Sequence, residues 1–154
     1  MAAQATMTIG SLRIILFALI GGLVMITGAA SLMRTQGEIA PVPAAQTVLP
    51  IVVALVLASS VAIAFALRAR LVTEAAKQKD VSLQLLREDK VPQALGAATI
   101  ISAALFEGPG LLGAVTVLLG GPWYCLAAPI LAIFAMVWLL PSRDRFKEAL
   151  RSSG

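Results

Sequence analysis

Ala103-Ala104-Leu105-Phe106-Glu107-Gly108-Pro109-Gly110-Leu111-Leu112-Gly113 sets one carboxylate in the middle of an apolar run that extends from Ala94 to Gly120. At 1.5 Å per helical residue, Glu107 lies about 20 Å from either end of that run. A side chain that deep cannot reach water by stretching along the helix. Carboxylates within membrane spans are costly and mark functional positions by default. The reading of this stretch therefore decides whether the chain is a membrane protein and where its chemistry lies.

The rest of the chain agrees with the membrane reading. Its 154 residues are 59% hydrophobic, with only 12 basic and 8 acidic residues. A soluble domain of this length needs more charge to cover its surface. The charges cluster between apolar stretches long enough to cross a bilayer, about 20 residues each. The expected architecture is a single integral membrane domain over 1–154: an all-α four-helix transmembrane bundle with spans at 12–33, 50–67, 94–120 and 123–140.

The first span runs from Leu12 to Met33 and is read as a retained helix rather than a cleaved signal, because its apolar core continues past Gly28-Ala29-Ala30. The segment from Arg34 to Leu49, with Gly37, Pro41 and Pro43, reads as an extramembrane loop. Pro50 suits the first turn of the second helix, where a missing N–H costs nothing. In that span Ala54, Ala58, Ala62 and Ala66 recur every four residues. Such a stripe lets another helix approach closely and is expected to face the third span near Ala104 and Gly108. Arg68 to Val91 is the most polar part and is expected to hold a short amphipathic cytoplasmic segment between helices 2 and 3, after a turn near Lys79-Asp80. Gly120-Gly121-Pro122 is an uncharged turn, Trp123 and Tyr124 suit the headgroup level, and Pro129 predicts a kink in the fourth span.

Basic residues set the orientation. The middle segment carries Arg68, Arg70, Lys77, Lys79, Arg87 and Lys90, and the tail carries Arg143, Arg145, Lys147 and Arg151. The first loop has Arg34 alone, and the turn at Gly120-Gly121 has none. The positive-inside rule then gives an N-in/C-in protein of the cell inner membrane.

The inventory excludes several chemistries. There is no histidine and only one cysteine, Cys125. No histidine-based nucleophile system can form, and no Cys/His zinc site. No phosphate-binding glycine loop is present. The expectation is no enzyme activity, no cofactor and no metal. The basic residues flank the spans and alternate with acids, so they are assigned to topology and not to nucleic-acid binding. The partners expected are the lipid bilayer and either further copies of the chain or other subunits of a membrane complex.

Two roles are open to Glu107. Pro109 removes the helical donor for the carbonyl of Leu105, and Gly108 and Gly110 let the backbone open. A carboxyl beside a freed carbonyl is material for a proton or small-cation site. Alternatively, desolvation favours the neutral acid, which would serve as an interhelical hydrogen bonder in assembly. Ser59 and Ser60 lie at the same depth in the second span, so one hydroxyl is expected within hydrogen-bond reach of Glu107.

Ala104-Leu105-Phe106-Glu107, with Gly113 six residues on, resembles the ion-carrying helix of rotary ATPase proteolipids, the c subunits. That resemblance covers about 20 residues and implies that Glu107 is a carrier carboxylate. The second span departs from the proteolipid pattern, having alanines where that family alternates glycines. From Val81 onward the chain also resembles a set of small bacterial four-span membrane proteins, through Leu105-Phe106-Glu107-Gly108 and Pro141-Ser142-Arg143. This second resemblance implies the architecture and no activity.

Overall fold

A computed structural model describes residues 7–37, 42–77 and 79–152. The fold is all-α apart from one two-residue bridge. In chain order the elements are β1 (Met7–Thr8), α1 (Ile9–Thr35), α2 (Pro43–Lys77), α3 (Lys79–Arg87), β2 (Lys90–Val91), α4 (Gln93–Leu118), a 3-10 turn (Trp123–Leu126), α5 (Ala127–Trp138) and α6 (Arg143–Ser152). Helices α1, α2 and α4 are each long and apolar enough to cross a membrane. The segment Trp123–Trp138 is a shorter apolar helix. Much of the outer surface is apolar: Ile14, Met25, Leu55, Phe65 and Phe134 are all exposed. That is an aggregation hazard in water and ordinary against lipid.

Local chemistry sets the helix ends. Thr8 caps α1 by accepting a hydrogen bond from the Ser11 amide at 3.1 Å. Gly37, at φ +72°, takes the left-handed position just beyond the C-cap residue Gln36, which a side chain would strain. Pro43, not Pro50, opens the second helix, and Pro50 lies inside it. The first loop is correspondingly shorter than the 34–49 segment expected, and its residues 38–41, Pro41 among them, lie outside the described part. Pro129 is the third residue of α5, which follows directly on the 3-10 turn. The last apolar stretch changes from 3-10 turn to α-helix at Ala127, two residues before Pro129.

Tertiary bonds fix the threading. Antiparallel pairing of Met7 with Val91 and Thr8 with Lys90 ties the start of α1 to the start of α4. The Ile9 amide donates to the Asp89 carbonyl at 3.1 Å, and Arg13 Nε to the Pro141 carbonyl at 3.0 Å. The Arg143 guanidinium pairs with the Asp89 carboxylate and holds it below the usual carboxylate range. These contacts gather the α1 start, the α3–β2 segment and α6 at one end of the bundle. At the other end the Val42 amide donates to the Leu119 carbonyl at 3.2 Å. Helices α1, α2 and α4 run between these two ends, and the shorter apolar segment Trp123–Trp138, roughly 25 Å of helix, leads from the second end back toward the first.

The core follows from α4 lying among α1, α2 and α5. Leu12, Leu16 and Leu23 of α1 meet Ala103 of α4 and Ala132 and Met136 of α5 in one buried cluster. At the polar end the cluster continues through Leu86 of α3 and Phe146 of α6. Helix α3 buries Leu86 and Ser82 and leaves Asp80, Val81 and Arg87 exposed. The Ser82 hydroxyl donates to the Ala75 carbonyl at 3.1 Å, which fastens α3 back onto α2.

Candidate functional site

Helix α4 carries the candidate carboxyl through an unbroken helical stretch that includes Pro109. Gly108 precedes that proline. A side chain there would clash with the proline ring in helical geometry, and glycine escapes the clash. Pro109 and Gly110 are buried, Leu105 and Glu107 are half-buried, and Ala104 and Gly108 are exposed. Glu107 therefore sits on the flank of α4, between the face packed in the bundle and the face turned outward. Three residues N-terminal to it, Ala104 lies one turn away on the same side.

Among the described residues, no polar group hydrogen-bonds this carboxyl. Ser59 is exposed and donates to the Val56 carbonyl within its own helix at 3.0 Å. Ser60, one residue on, is buried. Neither makes the hydrogen bond to Glu107 that equal depth led us to expect, and Glu107 takes part in no hydrogen bond or ion pair among the described residues. The described residues also hold no group of three acids or cysteines able to bind a metal ion. Beside Glu107 on the same helix, the Leu105 carbonyl lacks its helical donor, which Pro109 removes.

The small-residue stripes are arranged differently from the expected packing. Ala54, Ala58, Ala62 and Ala66 are all exposed on α2, so they do not face Ala104 and Gly108. The side of α2 that enters the bundle carries Val53, Ser60 and Ala64. On α4 the close contacts belong to Gly110 and Gly113. A Cβ at Gly113 would lie 2.6 Å from the Cys125 carbonyl and 2.9 Å from Ala128 Cβ, and one at Gly110 would lie 3.0 Å from Leu23 Cδ2. The period of four in α2 is real, but periodicity alone does not say which side of a helix meets protein.

A second cluster was not anticipated from sequence. Arg68 of α2 and Arg145 of α6 approach the same Trp138 ring, their guanidinium carbons 5.5 and 5.8 Å from its centre. Arg145 also donates to the Trp138 carbonyl. The available signal was Arg68 as the first charge after an apolar span, with Trp138 at the matching end of another. No protein family, curated protein or solved structure matches this chain, and none relates it to the proteolipid c subunits or to any other named family.

Proposed function

We propose that this is a four-span inner-membrane protein, with both termini cytoplasmic, that serves as a non-catalytic subunit of a membrane assembly. Glu107 is the contact group: a carboxyl that hydrogen-bonds across to another chain, a second copy or a different subunit. The observation that carries this reading is a half-buried carboxyl, midway along an apolar helix, for which the chain's described residues supply no partner. In hydrocarbon an unpartnered polar group costs several kcal/mol, roughly, so a partner from outside the chain is favoured. A proton- or cation-binding role is the second reading, supported by the Leu105 carbonyl left free beside it. Cation binding is the weaker form, since small hard cations take about six oxygen ligands.

Cysteine cross-linking in native membranes tests the contact. The native Cys125 is buried and stays out of the reaction. Ala104→Cys, exposed one turn from Glu107, is expected to give a cross-linked product with a second chain under mild oxidation or a short bifunctional reagent. Loss of any product at Ala104 and likewise at Ile101, also exposed on α4, would count against an interface on this flank.

The orientation rests on the basic residues gathered at one end of the bundle. A reporter fused at Gly154 is expected to read cytoplasmic, and one inserted at Gly121 external. An external reading at Gly154 would refute either the four crossings or their direction.

A further inference from the structure

A cleft of about 330 Å³ opens between α2, α4 and α5, lined by Ala64, Phe65, Arg68, Ser102, Phe106 and Trp138 among others. It has the size of a small-ligand site, about 300–1,000 Å³. Its walls are almost wholly apolar, with the Ser102 hydroxyl set among them in a residue only 2% exposed. Phe65 and Trp138, 63% and 60% exposed, flank the opening. The end of the cleft at Val61 and Phe106 is apolar.

The other end is cationic. Arg68 is the first residue after the apolar run of α2, and Trp138 is the last residue of α5. Both stand at the end of the bundle where the basic segments collect. Arg145, which lines the neighbouring recess with Arg13 and Pro141 rather than the cleft itself, approaches the same Trp138 ring as Arg68, so two guanidiniums stand near one indole at the cleft's end. The two ion pairs among the described residues are Lys90–Glu88 and Arg143–Asp89, and neither uses Arg68 or Arg145. The ring offers each cation a partial counter-charge, weaker than an anion would. Guanidiniums match phosphate oxygens in geometry as well as charge.

We propose that this cleft binds an anionic phospholipid, its phosphate held by Arg68 and Arg145 over Trp138 and one acyl chain lying in the groove toward Phe106. Charge complementarity selects the headgroup, and the apolar walls select a chain attached to it. A soluble anion would leave the groove empty, and a zwitterionic lipid, whose charges cancel, would compensate neither guanidinium, whereas the single net negative charge of an anionic lipid compensates one. The binding is independent of Glu107, which does not line the cleft.

The test uses the tryptophan in the site. Trp123→Phe leaves Trp138 as the only tryptophan of the two in the chain. The full-length protein is reconstituted in phosphatidylcholine vesicles containing either phosphatidylglycerol or phosphatidylcholine with brominated chains, and Trp138 fluorescence is followed. Quenching is expected at lower mole fraction with brominated phosphatidylglycerol. Arg68→Gln and Arg145→Gln are each expected to weaken that preference about fivefold, the contribution of one basic side chain at an anionic leaflet. Ala135→Phe fills the groove while keeping both guanidiniums, and is expected to reduce the quenching as well. Equal quenching by the two lipids in the parent protein, a measurement that needs no site variant, would overturn the proposal. So would a preference that survives loss of both arginines, or displacement of the lipid by millimolar glycerophosphate, which would make the site one for a free anion.

Discussion

Gly113→Ala is expected to lower the stability of the protein in detergent by about 2 kcal/mol. The added methyl would sit 2.6 Å from the backbone oxygen of Cys125 and 2.9 Å from Ala128 Cβ. Backbone cannot rotate away as a side chain can, so the last apolar segment must separate from α4. Overpacking of this kind costs about 1–3 kcal/mol, and a rigid obstacle belongs at the upper end. Helix propensity offsets about 1 kcal/mol in alanine's favour. Gly22→Ala is the matched control, since nothing lies within 4 Å of a Cβ there. It keeps the propensity gain and is expected to be neutral or slightly stabilising. Thermal unfolding of the two variants beside the parent measures the difference. Equal midpoints would mean that α4 and the 3-10 turn are not in close contact at Gly113.

That contrast also locates what the sequence could and could not tell. Apolar length and charge clustering carried the membrane-type helices directly, because desolvation acts on every residue of a span and leaves a signal 20 residues long. Contact faces leave a weaker one. Gly113 and Gly108 look alike in sequence, yet one is buried against a carbonyl and the other exposed. In a bundle surrounded by lipid both faces of a helix are apolar, so burial no longer sorts residues by polarity. The alanine stripe of α2 misled for this reason, and Ser59 and Ser60 show the same ambiguity one residue apart. Sequence rules put Pro50 at a helix start and Pro129 at a kink inside a span. Pro43 was a competing start for α2 and took that place, while Pro129 fell in the first turn of α5 once the 3-10 segment was in front of it. The β1–β2 bridge had no signal, since two-residue strands carry no period. The Arg68–Trp138–Arg145 cluster joins residues from three elements, and only the fold brings them together.

Glu107→Leu is expected to weaken association of the protein with its partner chain by about 5- to 30-fold, while Glu107→Gln stays close to the parent. The range corresponds to about 1–2 kcal/mol for one interhelical hydrogen bond in a membrane. Leucine keeps the bulk and suits lipid, so the monomer is expected to remain folded. Glutamine keeps a donor and an acceptor but cannot carry a proton. The pair thus separates the two readings of Glu107. Retained association with lost cellular function in Glu107→Gln would favour the proton carrier over the contact group.

The most direct measurement is the mass of the particle extracted from native membranes in mild detergent, for the parent protein and both variants. The parent and Glu107→Gln are expected to run as an assembly larger than the 16.0 kDa chain, and Glu107→Leu to shift toward the monomer on dilution. A parent protein that is monomeric at every concentration, or a Glu107→Leu particle with the parent's mass and dilution behaviour, would contradict Glu107 as the group that joins this chain to another.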